Sequence, residues 1–356
     1  MLLTVTRLKH ATIACHLYCH ITKKIVSRYW NKEMSFKIFF VFCLYLGVTE
    51  TKVFKNFNKC RHFFYKGQSP SFLNLSGDIV YICQQYNNKF FYATLYDTKN
   101  RIPVYSALEL DLRFNGKRLD DKFFIEPMLA TNGGGNMIEF DSSKHSTYGK
   151  KQALGTDYSN SGYDRGHLNP QMFNTLDDDT RYATNTFTNI APQYEPFNLG
   201  TWQDMEKKLL STTKAECNFP GARRYVIVGV QPSSNRYIER DIGNQQDVKR
   251  VNVPKFYWTA ICCDTSTATD TDDREKGWSF AYKADNIYDR AVTVTFDPVD
   301  KFLPNQYSKI FADYTSNGKT VVGCQFSRDD AVRIITHIKQ TIGGFPIFEP
   351  NPTSRF

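Results

Sequence analysis

Hydrophobic and polar positions alternate most clearly in "KFFYATLYDTKNRIPVYSALELDL", residues 89–112. Period-two alternation with aromatic and β-branched residues predicts two strands, 89–96 and 102–112. "DTKN" between them is rich in residues that favour a reversal. "RYVIVGVQ" (224–231), "FYWTAICC" (256–263) and "GWSFAYK" (277–283) read as further strands on the same grounds. The stretch "DTSTATDTDDREK" (264–276) has no apolar period and predicts a mobile surface loop. "GGGN" (133–136) reads as another loop, because no following GK[ST] completes a phosphate cradle. Helical patterns are assigned to 198–212, 304–314 and 328–341. No repeat or linker interrupts the chain after residue 60, so a single α+β domain is the economical reading.

The N-terminal pattern is different. "MSFKIFFVFCLYLGVTET" begins at Met34 with Lys37 as a basic flank, then an apolar run over 38–48. That is signal-peptide anatomy, too short for a membrane-spanning helix. A buried N-terminal helix is the rival, but "FFVFCLYLG" alternates poorly at helical period. The expected organisation is an extension and signal peptide over 1–50, with Met34 as an alternative start, and a folded domain over 51–356. No stable membrane insertion is expected after cleavage.

Charge and cysteines sharpen this picture. The formal net charge of +9 is uneven: the first fifty residues hold seven Lys/Arg against two acids, the other 306 hold 38 against 34. A polyanionic partner is therefore permitted by bulk charge and not demanded by it. Of nine cysteines, Cys60, Cys83, Cys217, Cys262, Cys263 and Cys324 remain after the leader. An even set behind a secretory leader predicts up to three disulfides, in any of fifteen pairings. Cys262 and Cys263 point to opposite faces of a strand, so each should bond a different distant partner. No pair has the C-x2-C spacing of structural zinc. A glycosylation sequon, Asn74-Leu75-Ser76, fits a secreted glycoprotein.

The candidate chemistry is concentrated in "GYDRGHLNPQ" (162–171) and "FTNIAPQYEPFNLGTWQDMEKKL" (187–209). His167 is the side chain best suited to accept a proton from water near neutral pH. Arg165 offers a planar fork for phosphate oxygens, and Gly166 reads as a flexible link. Asn198, Trp202 and Glu206 are four apart, so on a helix they share one face with Trp202 anchored in the core. Asn198 offers a hard oxygen to Mg²⁺, while Glu206 stands about 12 Å further along an ideal helix and does not reach the same inner shell. Each residue also has a bland reading: Asn198 as a helix cap, Glu206 as a solvated residue, Asn189 as a turn residue, Asp164 as a loop or arginine partner. His145 is the other mid-chain base candidate, read as an exposed loop residue.

"DRGH", "NIAPQ" and "N-x3-W-x3-E", in this order and spacing, resemble the DNA/RNA non-specific endonuclease family. The resemblance implies a ββα-metal (His-Me finger) nuclease core within a larger mixed sheet-and-helix domain. It also implies secretion, Mg²⁺ with Mn²⁺ as substitute, and DNA and RNA as substrates. His167 would be the general base, Asn198 the metal ligand, and Glu206 a carboxylate acting on the metal's water shell. Arg165 would hold phosphate, and Asn189 would position the water or the reacting phosphate. Flanking stretches over roughly 57–340 narrow the likeness to the secreted endonuclease domain-containing 1 group. Two positions depart from the family pattern: Asn169 stands where many members have alanine, and Leu210 where some have arginine. These departures keep a second expectation open, a nuclease fold that binds nucleic acid or a protein partner without turnover.

Overall fold

The computed structural model describes residues 53–74, 77–112, 118–120, 122–130, 135–239, 249–316, 318–341 and 347–348. They belong to one compact unit, Thr51–Phe356. The signal-peptide reading, the "GG" of 133–134 and the last two residues of the sequon lie outside them.

Alternation does most of the building. Strands β1 (Ile79–Tyr86), β2 (Lys89–Asp97) and β3 (Ile102–Glu109) form an antiparallel meander. A separate hairpin follows, β4 (Asp164–His167) with β5 (Ile190–Gln193), its arms bridged by helix α1 (Asp178–Thr184). Helix α2 (Gln203–Glu216) comes next, and then the meander resumes as β6 (Arg223–Gln231), β7 (Phe256–Asp264), β8 (Trp278–Asp285) and β9 (Val294–Asp297). Helix α3 (Arg328–Thr341) closes the order. With edge pieces Val53–Phe54 and Ile347–Phe348, the main sheet has nine strands, in the order 53–54, β1, β2, β3, β6, β7, β8, β9, 347–348. Hairpin followed by helix is the ββα unit, and it lies within a larger α+β fold.

The sheet buries both faces against different partners. Along β7, Tyr257, Ile261 and Cys263 join the cluster beneath the β4–β5 hairpin, α2 and α3. Trp258, Ala260 and Cys262 join a second cluster with Phe57, Phe64, Tyr65, Phe302 and Phe311. The two neighbouring cysteines thus diverge as strand geometry requires. Cys263 bonds Cys217 at the end of α2, and Cys262 bonds Cys324; Cys60–Cys83 is the third bridge, with Cα separations of 5.8, 5.8 and 5.7 Å. Helix α3 presents Ala331, Ile334, Ile335 and Ile338, a helical stripe, to the first cluster.

Two expectations change. Residues 304–314 are not helical: Tyr307–Lys309 pairs antiparallel with Ser71–Phe72. Tyr307, Ile310 and Phe311 all reach the second cluster from an irregular segment draped over the sheet, which imitates helical spacing. The 264–276 loop is tied down as well as exposed. Thr265 and Ala268 are buried, and the Arg274 guanidinium donates to the Ala268 carbonyl at 2.9 Å.

Candidate active site

Three buried hydroxyls pin the site layer to the sheet. Tyr92 donates to the Ala183 carbonyl at the end of α1 (2.9 Å), and Ser106 to the Asn189 side-chain oxygen (2.9 Å). Tyr257 donates to the Ala191 carbonyl within β5 (2.9 Å). Gly166 is not a flexible link. A Cβ at this position would lie 2.7 Å from Gln193 Cβ and 2.9 Å from the Tyr257 hydroxyl, so glycine is what lets β4 lie against the sheet.

His167 is presented from the end of β4, opposite Ile190. Its Nε2 lies 3.0 Å from the side-chain oxygen of Asn185, the C-cap of α1. The Asn185 amide nitrogen donates to the Asp120 and Lys122 carbonyls (3.3 and 3.1 Å), which leaves the oxygen facing the imidazole. Gln171 donates to that same oxygen at 2.8 Å. The ring is thus held from two sides, by the Asn185 oxygen at Nε2 and by a hydrogen bond with the Arg165 backbone. Burial pulls the imidazole down to about 4; the Arg118 and Arg165 guanidiniums push the same way, against hydrogen bonds with Asn185 and the Arg165 backbone. The ring is therefore neutral at physiological pH and ready to take a proton.

Asn198 opens the following helix in an unusual way. Asn198–Trp202 winds as a π turn before α2 begins, a wider, flatter turn than the α-helix expected from spacing. Gly200 breaks helical geometry at φ −105°, ψ −115°, and its α-carbon lies against the Arg290 carbonyl with no room for a Cβ. That carbonyl accepts from the Thr201 backbone and hydroxyl (3.1 and 2.9 Å), fixing the turn. Trp202 is buried against Tyr257 and Tyr282, as its anchoring role requires. Asn198, in the π turn, and Glu206, in α2, border one cavity.

That cavity, about 320 Å³, is lined by Arg118, Arg165, His167, Gln171, Arg181, Asn198, Gln203 and Glu206, among others. Asn198 donates its amide nitrogen to Asp164 at 2.8 Å, so Asp164 orients this side chain and not an arginine. The Asn198 oxygen has no protein partner among the described residues. Glu206 is buried, not solvated, and burial pushes its carboxyl up to about 8 against the Trp202 indole and Lys207. Arg165 stacks its guanidinium carbon 4.2 Å above the Phe123 ring, leaving its edge for the cavity.

Asn189 is placed elsewhere. Its nitrogen donates to the Asn169 and Thr184 carbonyls (both 2.9 Å), and its oxygen accepts from the Asn169 amide and from Ser106 (3.0 and 2.9 Å). All four positions are used inside the protein, so it has none left for water or phosphate. It staples the backbone after His167 to the end of α1. The Asn169 departure is absorbed by a reciprocal pairing with the Asn174 side chain, with contacts of 2.6 and 3.4 Å. Leu210 packs against the core, and Lys207 is exposed and bonded to Gln203 at 2.6 Å. The side chain of His145 lies outside the described residues.

Arg118, Gln171, Arg181, Asn185 and Gln203 were not anticipated. No local signal marks them, although Asp177 followed by "DDTRYAT" has the N-cap and acidic first turn of a helix ending near Asn185.

A family model described as DNA/RNA non-specific endonuclease matches residues 74–302, and the chain belongs to that family. Among curated relatives, the human "Endonuclease domain-containing 1 protein" is 33% identical over 212 residues, 58% of this chain and 39% of that protein. Its mouse counterpart is 28% identical over 263 residues, 72% of this chain and 47% of that protein. The "Salivary endonuclease" of Lutzomyia longipalpis is 26% identical over 182 residues, 48% of this chain and 41% of that protein. The match thus spans less than half the length of these relatives. A solved structure of EndoG in complex with EndoGI aligns at TM-score 0.41 and 20% identity, over 60% of this chain and 76% of that one.

Proposed function

We propose, with that family membership as premise, that the chain is a secreted, Mg²⁺-dependent endonuclease hydrolysing DNA and RNA without sequence preference. One observation carries the reading: a half-buried neutral imidazole and a carboxamide oxygen without a protein partner among the described residues border the same arginine-lined cavity. The donors suit a hard divalent ion. Asn198 and Glu206 offer oxygen, and no cluster of three His, Cys, Asp or Glu suited to a metal occurs among the described residues. Asn198 would be the direct ligand, with Mn²⁺ able to replace Mg²⁺. When bound, the ion supplies charge neutralisation at the scissile phosphate and the departing 3′ oxygen.

The chain's own residues do the rest. Asn185 and the Arg165 backbone fix the His167 ring at the cavity wall, and His167 takes a proton from the attacking water. Arg165, held flat on Phe123, binds phosphate oxygens through its fork. Glu206 supplies negative charge beside Asn198 once it ionises. Asn189 acts through the backbone around Asn169, not on the phosphate itself. Phosphates do not carry sequence information, which is the reason to expect non-specific cutting. Three disulfides and the signal-like run beginning at Met34 support an extracellular location, with 51–356 as the nuclease domain.

Incubation of plasmid DNA and of RNA with Mg²⁺, then with EDTA, tests the reading. Cleavage should occur only with the ion, and His167→Ala should reduce it by ~10³-fold. An inert wild type in both Mg²⁺ and Mn²⁺, or full activity in His167→Ala, overturns it. Leu210 in place of a helix arginine favours a second reading, a non-cleaving nucleic-acid binder; salt-sensitive binding without cleavage under any divalent ion would select it.

A further inference from the structure

An aromatic patch lies beside the Asn198 turn and takes no part in the chemistry above. The Tyr163 and Tyr194 rings lie 4.8 Å apart, the Tyr163 hydroxyl donates to that of Tyr194 at 3.2 Å, and both pack against the first core cluster. Tyr288 stands edge-to-face with Tyr194 at 5.8 Å and is 74% exposed. The loop that carries it is pinned. The buried Asn286 side chain donates to the Pro192 and Pro254 carbonyls (3.0 and 3.1 Å) and accepts from the Tyr194 backbone (3.1 Å). Asp289 accepts from the Ala291 backbone at 3.0 Å. A large ring kept in water on a fixed loop marks a contact surface, and it needs little ordering when a ligand arrives.

Each segment of the patch is tied to the turn that presents Asn198. Asp164, the neighbour of Tyr163, accepts from the Asn198 side chain at 2.8 Å, and the Tyr194 carbonyl accepts from the Asn198 backbone at 2.8 Å. The Arg290 carbonyl, two residues after Tyr288, accepts from the Thr201 backbone in the same turn. Asp164 and His167 are the two ends of β4, about 10 Å apart at ~3.3 Å per residue. A strand lying in the cavity covers that distance in roughly three nucleotides at duplex rise. Glu195 and Asp289 are exposed here alongside Arg290, so charge does not draw a phosphate chain to this surface. What the patch offers is aromatic rings.

We propose that Tyr288, backed by Tyr194 and Tyr163, is a stacking platform for an unpaired base of the substrate strand, a few nucleotides from the phosphate being cut. This rests on the nuclease reading above. Every base has an aromatic face, so the platform holds a strand without reading its sequence. A paired base keeps both faces against its neighbours, so the platform favours single-stranded segments over duplex.

The test is fluorescence anisotropy in EDTA, where the ion is withheld, with three probes: a single-stranded oligonucleotide, an abasic strand of equal length, and a duplex. Tyr288→Ala should weaken binding of the base-bearing strand by ~10-fold. The salt slope should not change, because stacking releases no counterions. Tyr288→Phe should bind like the wild type and Tyr288→Leu like the alanine variant. On the abasic strand and the duplex all four proteins should agree. In cleavage with Mg²⁺, Tyr288→Ala should raise KM for single-stranded DNA more than it lowers kcat. Equal binding of base-bearing and abasic strands by the wild type overturns the platform, as does a Tyr288→Ala loss that persists on the abasic strand. Wild-type affinity in Tyr288→Ala overturns it too, and is the result expected if the patch receives a protein. Cleavage with Tyr288-independent binding removes the platform and keeps the enzyme reading. Tyr288-dependent binding of bases, with no cleavage in Mg²⁺ or Mn²⁺, does the reverse.

Discussion

The two faces of the central sheet are built on different chemistry. The back face is an aromatic pack: Trp258 lies 5.4 Å from Tyr307 and 5.7 Å from Phe302, and Phe57 lies 4.9 Å from Phe64. Two of the three disulfides join this side, through Cys60–Cys83 and Cys262–Cys324. The site face has its own hydrophobic cluster around Trp202, Tyr257 and Trp278, and above it buries amides and hydroxyls: Asn169, Asn185, Asn189, Gln193, Thr184, Thr186 and Thr188 are all enclosed. Aromatic packing is tolerant of small shifts, whereas a chain of hydrogen bonds has one working arrangement. Both faces therefore supply stability, and the site face supplies the geometry as well. Substitutions should separate the two.

The largest expected effect is on geometry alone. His167→Ala should lower cleavage by ~10³-fold, equivalent to about 4 kcal/mol of barrier, while the thermal midpoint stays within a few degrees. A large fall in melting temperature would mean that the imidazole belongs to the structural inventory. The counterpart on the back face is the paired substitution Cys262→Ser with Cys324→Ser. The bridge spans 62 residues, and its removal should cost about 4 kcal/mol of stability by loop-closure entropy. Turnover measured well below the new midpoint should be unaffected. A matching loss of kcat there would dissolve the contrast between the faces.

Next in size is the residue that orients the base. Asn185→Ala removes the acceptor at Nε2 and should lower kcat by ~10²-fold with little change in KM. Asn185→Asp keeps the acceptor and adds a charge. A carboxylate beside the imidazole raises its pKa from about 4, so the acid limb of the rate profile should move to higher pH. A purely structural asparagine would move no pH limb. The profile distinguishes the two.

How much of this was legible beforehand differs between the faces too. The strands of the sheet were readable because alternation, aromatic content and the diverging Cys262–Cys263 pair are local properties. His167, Asn198 and Glu206 were readable because they sit in short motifs with fixed spacing. Asn185, Gln171, Arg118 and Arg181 were not, since only the closure of α1 and the 118–120 loop onto the hairpin brings them to the imidazole. Asn189 was visible as special, but its role depends on four hydrogen bonds to three residues from three separate segments, which spacing cannot show. The π turn was invisible for a related reason. Gly200 reads as a weak helix residue until the Arg290 carbonyl is found occupying the space of its side chain.

The smallest effect tests whether geometry on the site face was obtained at the expense of stability. Glu206 is buried with its carboxyl raised from 4.5 to about 8, mainly by loss of water. In the metal-free protein the folded state therefore holds this proton more tightly than the unfolded chain does. The stability that results is complete below pH 4.5 and is lost as pH rises through about 8. Glu206→Gln cannot ionise, so it should match the wild type in melting temperature near pH 4. By pH 9 it should be more stable by ~2 kcal/mol or more. A divalent ion bound beside the carboxylate would favour the charged form, so added Mg²⁺ should narrow the gap at pH 9 and release protons on binding at pH 7. A melting difference that is independent of pH would show Glu206 to be ionised throughout, and the site face to carry no such penalty.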